Sequence, residues 1–145
     1  MVVVKFKKLQ EYATIPRKMS GSAAGFDLHW SGRHELQLAP DGPVQRLGTG
    51  VAIEIADGFE GQIRSRSGLA YAGVFVVNSP GTIDADYRGE IQVLLKAIGP
   101  HTVTLLPGDR IAQLVIAPAL QVDVEVVDEL SPSARGAAGF GSTGR

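Results

Sequence analysis

The chain has 145 residues, 44% hydrophobic and 20% charged, which suits one globular domain able to bury a core without staples. Fourteen basic residues balance fifteen acidic ones, so no overall basic field advertises a nucleic-acid partner. The absence of cysteine excludes disulfides, thiolate metal sites and a cysteine nucleophile, and permits a reducing compartment.

The predicted elements are short. Residues 2–6 and 26–30 read as strands. Residues 50–55 (GVAIEI) alternate, with Val51, Ile53 and Ile55 on one face. Residues 61–66 form a further strand with polar neighbours around Ile63, and 74–77 a buried one. Residues 91–98, 102–106, 111–116 and 122–127 complete the set, and only 67–72 predict a helix, of a turn or two. Turn signals separate them at Pro40-Asp41-Gly42-Pro43, Ala56-Asp57-Gly58, Gly99-Pro100 and Pro107-Gly108-Asp109. Many short strands with close turns argue for an all-β barrel or sandwich. No apolar run approaches the ~20 residues of a membrane span. The opening Met1-Val2-Val3-Val4-Lys5-Phe6-Lys7-Lys8 is too quickly charged for a signal peptide. The expectation is therefore a soluble, cytoplasmic protein with no membrane partner.

The domain division expected is a β-barrel over 1–130 and a tail over 131–145. The tail holds Gly136, Gly139, Gly141 and Gly144 with a lone aromatic, Phe140. It has too little apolar surface to offset its ordering entropy and is expected to be mobile in the free protein. The plainer account is a disordered terminus. The other is a lid that folds over a ligand.

Three segments carry candidate chemistry. In Arg64-Ser65-Arg66-Ser67-Gly68-Leu69-Ala70 a strand gives way to a short helix. Helix amides, an arginine and serine hydroxyls suit an anion, although a helix capped by Ser65 or Ser67 explains the segment equally simply. In residues 78–90 (NSPGTIDADYRGE), Asn78 offers the donor and acceptor that match a pyrimidine edge. Asp84 suits a partly desolvated carboxylate that orients and deprotonates water. Tyr87 can pack flat on a sugar. The bland alternative is a hairpin whose Asp and Gly residues serve the turn. In Gly108-Asp109-Arg110-Ile111-Ala112-Gln113-Leu114, Gln113 lies either on a solvated face or in a polar site. Asp27, between Phe26 and Leu28, is unfavourable in a strand. It either supports a hydrated magnesium ion or satisfies nearby amides. His29, His34 and His101 show no metal-ligand spacing, and Trp30 reads as core or interface packing.

Taken together and in this order, the segments AAGFDL at 23–28, RSRSGLA at 64–70, NSPGTIDADYRGEI at 78–91, GDRIAQL at 108–114 and RGAAGFGSTG at 135–144 resemble the five motifs of the trimeric, all-β dUTPase family. The resemblance covers essentially the whole chain. It implies a jelly-roll-like β-barrel subunit with one short helix and a mobile glycine-rich tail. It also implies a homotrimer whose three sites each draw the first, second and fourth motifs from one chain, the third from a second and the tail from a third.

The activity implied is hydrolysis of dUTP to dUMP and pyrophosphate with Mg2+, which keeps uracil out of DNA and supplies dUMP for thymidylate synthesis. By the same resemblance, Asp84 positions the attacking water. Tyr87 stacks under deoxyribose, and Asn78 reads uracil with hairpin backbone at Thr82 and Ile83. Arg66, Ser67 and Gly68 bind phosphate, and Gln113 lies near the α-phosphate. Arg135, Ser142 and Thr143 reach the γ-phosphate, and Phe140 with Gly141 covers the base. Asp27 is implied near the magnesium through water, the ion being held mainly by the triphosphate. Ser65 stands where the family usually has proline, and Ala138 where it usually has glycine. Two rivals are a dCTP deaminase-like enzyme, which would release ammonia, and a non-catalytic nucleotide-binding module on the same fold.

Overall fold

A computed structural model describes residues 2–138 of the chain. Ten strands and one short helix follow in order: β1 (Val4–Lys8), β2 (Gly25–His29), β3 (Leu36–Leu38), β4 (Gln45–Ile55), β5 (Phe59–Arg64), α1 (Ser67–Tyr71), β6 (Val74–Val76), β7 (Gly81–Ile83), β8 (Glu90–Ala97), β9 (Val103–Leu105) and β10 (Arg110–Pro118). Every strand pairing is antiparallel. One four-stranded sheet has the order β1-β4-β8-β6, a second β2-β10-β5-β7, and β3 pairs with β9 alone. This is the all-β, jelly-roll-like architecture.

Alternation places the core between the sheets. From the first sheet, Ile53, Ile55, Val76, Ile91, Val93 and Leu95 point inward. From the second come Leu28, Ile63, Ile83, Ile111 and Leu114, all in one buried cluster. Each such side chain contributes about 1.5–3 kcal/mol by leaving water. Trp30 packs against this cluster beside Gly32, where any Cβ would overlap its ring.

Most predicted strands form, with shifted ends. Three expectations need correcting. β3 (LQL) and β7 (GTI) are three residues long and lack the longer run of strand formers that marked 74–77 and 102–106, and β7 lies inside a stretch read as turn. The predicted strand at 122–127 does not form. Its alternation is real, yet Val122, Val124 and Val126 are exposed. Periodicity marks an apolar face but supplies no neighbouring strand to complete the ladder. Finally, neither Ser65 nor Ser67 caps α1. The N-cap is Arg66, with no side-chain cap bond.

Candidate active site

The segment from Ile83 to Glu90 links β7 to β8 and closes on itself. The Tyr87 amide donates to the Asp84 carbonyl (3.1 Å), and the Tyr87 hydroxyl donates to the Glu90 carbonyl (2.8 Å). The ring therefore folds back over Gly89, where a Cβ would overlap its hydroxyl end. β7 is held against β5, with Gly81 opposite Ile63 and Thr82 opposite Gln62, and does not pair with β8, so the segment is a crossover between the two sheets rather than the hairpin the sequence suggested. These contacts shape a cavity of about 310 Å³ lined by Asn78, Gly81, Thr82, Ile83, Asp84 and Tyr87. Arg46, Ile63, Glu90, Ile91, Gln92 and Leu94 form its remaining walls. Ile63, Ile83 and Ile91 are buried, so the floor is apolar and the rim polar, the usual make-up of a small-molecule site.

Asp84 sits at this rim but is exposed, and its carboxylate accepts no hydrogen bond among the described residues. The sequence suggested a partly desolvated group. Asp84 also borders a shallow concavity with Gly58, Phe59, Glu60 and Ala119 and stays open to water. Tyr87 is 43% exposed, with one edge of its ring anchored and the rest open.

A second group assembles at the start of β10. Asp27 on β2 is 4% exposed and lies opposite Gln113 in the ladder. Its carboxylate accepts from Arg66 Nε at 3.3 Å and Gln113 Nε2 at 3.5 Å through one oxygen, and from Arg110 Nη1 at 3.1 Å through the other. Arg66 Nη1 also donates to the Arg110 carbonyl (3.1 Å). One buried anion thus fixes two guanidiniums and leaves net positive charge facing out, a ready anion cradle. Arg66 and Gly68 line a concavity of about 250 Å³ with Leu69, Leu105, Asp109 and Arg110. Ser67 is exposed at the first turn of α1.

His29 follows Asp27 by two residues. Its Nδ1 is buried without a hydrogen-bond partner. Burial pushes the imidazole below its ordinary value of 6.5, Arg110 and Arg66 add to that, and Asp27 opposes it.

Ser65 does different work from its expected cap. Its hydroxyl accepts the Val76 amide of β6 (3.0 Å), tying the end of one sheet to the edge of the other. The position implied to be proline is here a cross-link.

The structure therefore gathers Asn78, Thr82, Ile83, Asp84 and Tyr87 in one cavity and Asp27, Arg66, Gly68 and Gln113 around the other, without joining the two groups in one concavity. Arg135 is exposed, with Nε donating to the Ala138 carbonyl (2.7 Å). Phe140, Gly141, Ser142 and Thr143 lie outside the described residues. Sequence reasoning missed Arg110, although it stands in the fourth motif. A charged residue at the first position of a strand reads as a solvated end, and only the pairing of β10 with β2 brings it to Asp27. Arg46, Glu90 and Gln92 were missed because they reach the cavity from β4 and β8, with no local signature. Among the described residues no cluster of three or more His, Cys, Asp or Glu is placed to hold a metal, and no helix is long and apolar enough to cross a membrane.

Known proteins match this arrangement over its full length. The chain is 50% identical over 143 residues to the deoxyuridine 5′-triphosphate nucleotidohydrolase of Nautilia profundicola, covering 98% of this chain and 99% of that one. It is 46% identical over 144 residues to the enzyme of the same name from Syntrophotalea carbinolica, covering 99% and 97%. Among solved structures, the dUTPase of Staphylococcus bacteriophage 80alpha with dUPNHPP superposes with a TM-score of 0.88 at 27% identity, over 99% of both chains. With residues 11–144 matching the family described as dUTPase, the chain belongs to the dUTPase family.

Proposed function

We propose that the protein hydrolyses dUTP to dUMP and pyrophosphate. The observation that carries this reading is the cavity at the β7–β8 connection, which brings a base-reading amide, a carboxylate and a sugar-sized aromatic together over an apolar floor. The 50% identical relative bears the name of that activity, and the ammonia-releasing alternative finds no such support.

In this reading uracil enters beside Asn78 and the backbone of Thr82 and Ile83. A site that must satisfy its own polar groups rejects cytosine, and the methyl group of thymine would meet the backbone of the same segment. Tyr87 lies under the deoxyribose. Asp84 orients a water molecule and accepts its proton as the water oxygen bonds to the α-phosphorus. The bond from that phosphorus to the bridging oxygen breaks, and pyrophosphate leaves. The work is mostly positioning and charge neutralisation. Arg66, Ser67 and Gly68 take phosphate oxygens, and Gln113 stands near the α-phosphate. From the tail, Arg135, Ser142 and Thr143 contribute to the γ-phosphate, while Phe140 and Gly141 cover the base.

Magnesium fits this chain in one way. A carboxylate offers about four lone-pair sites, and Asp27 spends three of them on Arg66, Arg110 and Gln113. What is left suits a water of the ion's shell rather than the ion itself, so the triphosphate is the main holder. When bound, Mg2+ neutralises phosphate charge and orients the chain of phosphates.

We further propose a cytoplasmic homotrimer, each chain contributing a barrel over 1–130 and a tail over 131–145 that closes on a neighbour's site. Two concavities that stay apart within one chain are what a shared site requires. The reading is tested by incubating the protein with Mg2+ and dUTP or dCTP. Stoichiometric dUMP and pyrophosphate from dUTP are expected, with no ammonia from dCTP. Ammonia release, or binding without turnover, would replace the reading by one of its rivals.

A further inference from the structure

Glu90 lies outside the residues to which this reading gives a role, yet it lines the nucleoside cavity and is bonded both to Tyr87 and to the β4 bulge. Its main-chain carbonyl receives the Tyr87 hydroxyl (2.8 Å). Its side chain reaches the other way. The β4–β8 ladder slips here: Gly48 pairs with Gln92 and Ala52 with Glu90, so Thr49, Gly50 and Val51 stand opposite Ile91 alone. Such a bulge strands ladder groups. The Thr49 hydroxyl takes the Ile91 carbonyl (2.8 Å), and the Gly50 amide donates to Glu90 Oε1 (2.7 Å). Gly50 holds φ +67°, and at Gly48 a Cβ would overlap the Glu90 carboxylate. Gly48 thus leaves room for the Glu90 side chain, and Gly50 turns its amide toward it. Bonds from an amide to a charged acceptor are the stronger kind.

We infer that Glu90 is a positioning residue for sugar recognition: by clamping the β4 bulge, its carboxylate fixes the carbonyl that holds the Tyr87 ring under the deoxyribose. This rests on the proposed dUTPase activity and on Tyr87 as the element that meets the sugar. Without the clamp the first residue of β8 shifts against β4, the ring loses its fixed anchor, and a 2′-hydroxyl is tolerated.

The test compares kcat/KM for dUTP and UTP, with thermal unfolding measured alongside. Glu90→Ala is expected to lower the dUTP/UTP ratio about tenfold. Glu90→Gln, whose amide oxygen still accepts from Gly50, restores most of it. Tyr87→Phe keeps the ring and loses only the hydroxyl, and is expected to lower the ratio about threefold, which keeps the inference testable should Glu90→Ala fail to fold. In a Tyr87→Ala background, Glu90→Ala should change the ratio no further, because its effect runs through the ring. An unchanged ratio in folded Glu90→Ala, an unchanged ratio in Tyr87→Phe, or an equal loss in the Tyr87→Ala background overturns the role of Glu90 while leaving the activity standing. Wild-type protein that does not turn over dUTP, or a Tyr87→Ala ratio equal to wild type, overturns the reading beneath it as well.

Discussion

The cavity at the β7–β8 connection and the Asp27 cluster are built by different physics. The cavity is made of backbone: a turn closed by its own amide and hydroxyl, an apolar floor, and one exposed carboxylate at the rim. Its selectivity comes from shape and from polar groups that need the correct base. The cluster is made of charge: one buried carboxylate orders two guanidiniums, and any phosphate of suitable size finds them attractive. A base-reading half that is rigid and a phosphate-reading half that is strong divide specificity from affinity. The sharpest way to separate them is to alter one and watch which kinetic constant moves.

Asp84→Asn makes the largest change. The group is exposed and bears no structural hydrogen bond among the described residues, so folding and dUTP binding are expected to survive, with kcat falling ~10²–10⁴-fold. Isothermal titration with a non-hydrolysable analogue and single-turnover kinetics measure the two. Near-normal turnover would remove Asp84 from the mechanism.

Truncation before Arg135 comes next. Residues 120–138 are exposed, so unfolding temperature should hold while kcat/KM falls at least about tenfold, the worth of a lost charge-assisted phosphate bond. Refolding this truncated chain with equal Asp84→Asn chain tests the sharing of sites. If the Asp84 segment and the tail of one site come from different chains of a closed trimer, about a quarter of sites regain both intact parts. Activity that stays at the parental level, in mixed trimers verified by mass spectrometry, would place both parts on one chain.

How much of this was legible in the sequence depends on the range over which each feature is encoded. The chemistry of the β7–β8 connection was readable because it is contiguous: Asn78, Asp84, Tyr87 and Gly89 lie on one short stretch, whereas its expected hairpin pairing did not form, since β7 joins β5 in the other sheet. The second half of β4 announced itself through the alternation of Val51, Ile53 and Ile55. The Asp27 cluster was only half readable. Asp27 was suspect as a strand aspartate, but its partners come from residues 66, 110 and 113, and register, not pattern, unites them. The bulge at Gly50 was hidden for the same reason, since a slip of the ladder is a property of two strands. Val122, Val124 and Val126 mark the opposite failure, a correct pattern with no partner strand among the described residues.

Asp27→Asn addresses the charged half. The amide keeps an acceptor oxygen but no longer balances Arg66 and Arg110. Stability should drop by about 1.5–3 kcal/mol, the worth of hydrogen bonding to a charged group. KM for dUTP should rise about tenfold as the guanidiniums lose their fixed pose, with kcat less affected. The Mg2+ concentration for half-maximal rate should move only a few-fold if the ion is reached through water. An unchanged KM would break the cradle, whereas a Mg2+ shift larger than the KM shift would turn Asp27 into a direct ligand.

Ser65→Ala should affect activity least, although it sits between Arg64 and Arg66 in the second motif. Ser65 and the implied proline differ in what they offer the fold. The Ser65 hydroxyl accepts the Val76 amide (3.0 Å); Val76 is buried on β6, the edge of its sheet, where no further strand supplies an acceptor. Deleting the hydroxyl leaves that amide without a partner at a cost of about 1–3 kcal/mol, read as a fall of several degrees in unfolding temperature. Arg66 keeps its own anchors on Asp27 and the Arg110 carbonyl, so kcat/KM for dUTP should stay within about twofold of wild type. Ser65→Pro separates the two effects, since it supplies a rigid turn residue but no acceptor for Val76. It should recover part of the lost stability and leave kinetics alone. A tenfold loss of kcat/KM in Ser65→Ala at unchanged unfolding temperature would assign the hydroxyl to phosphate binding instead, and the cationic half of the site would then extend one residue further along the second motif.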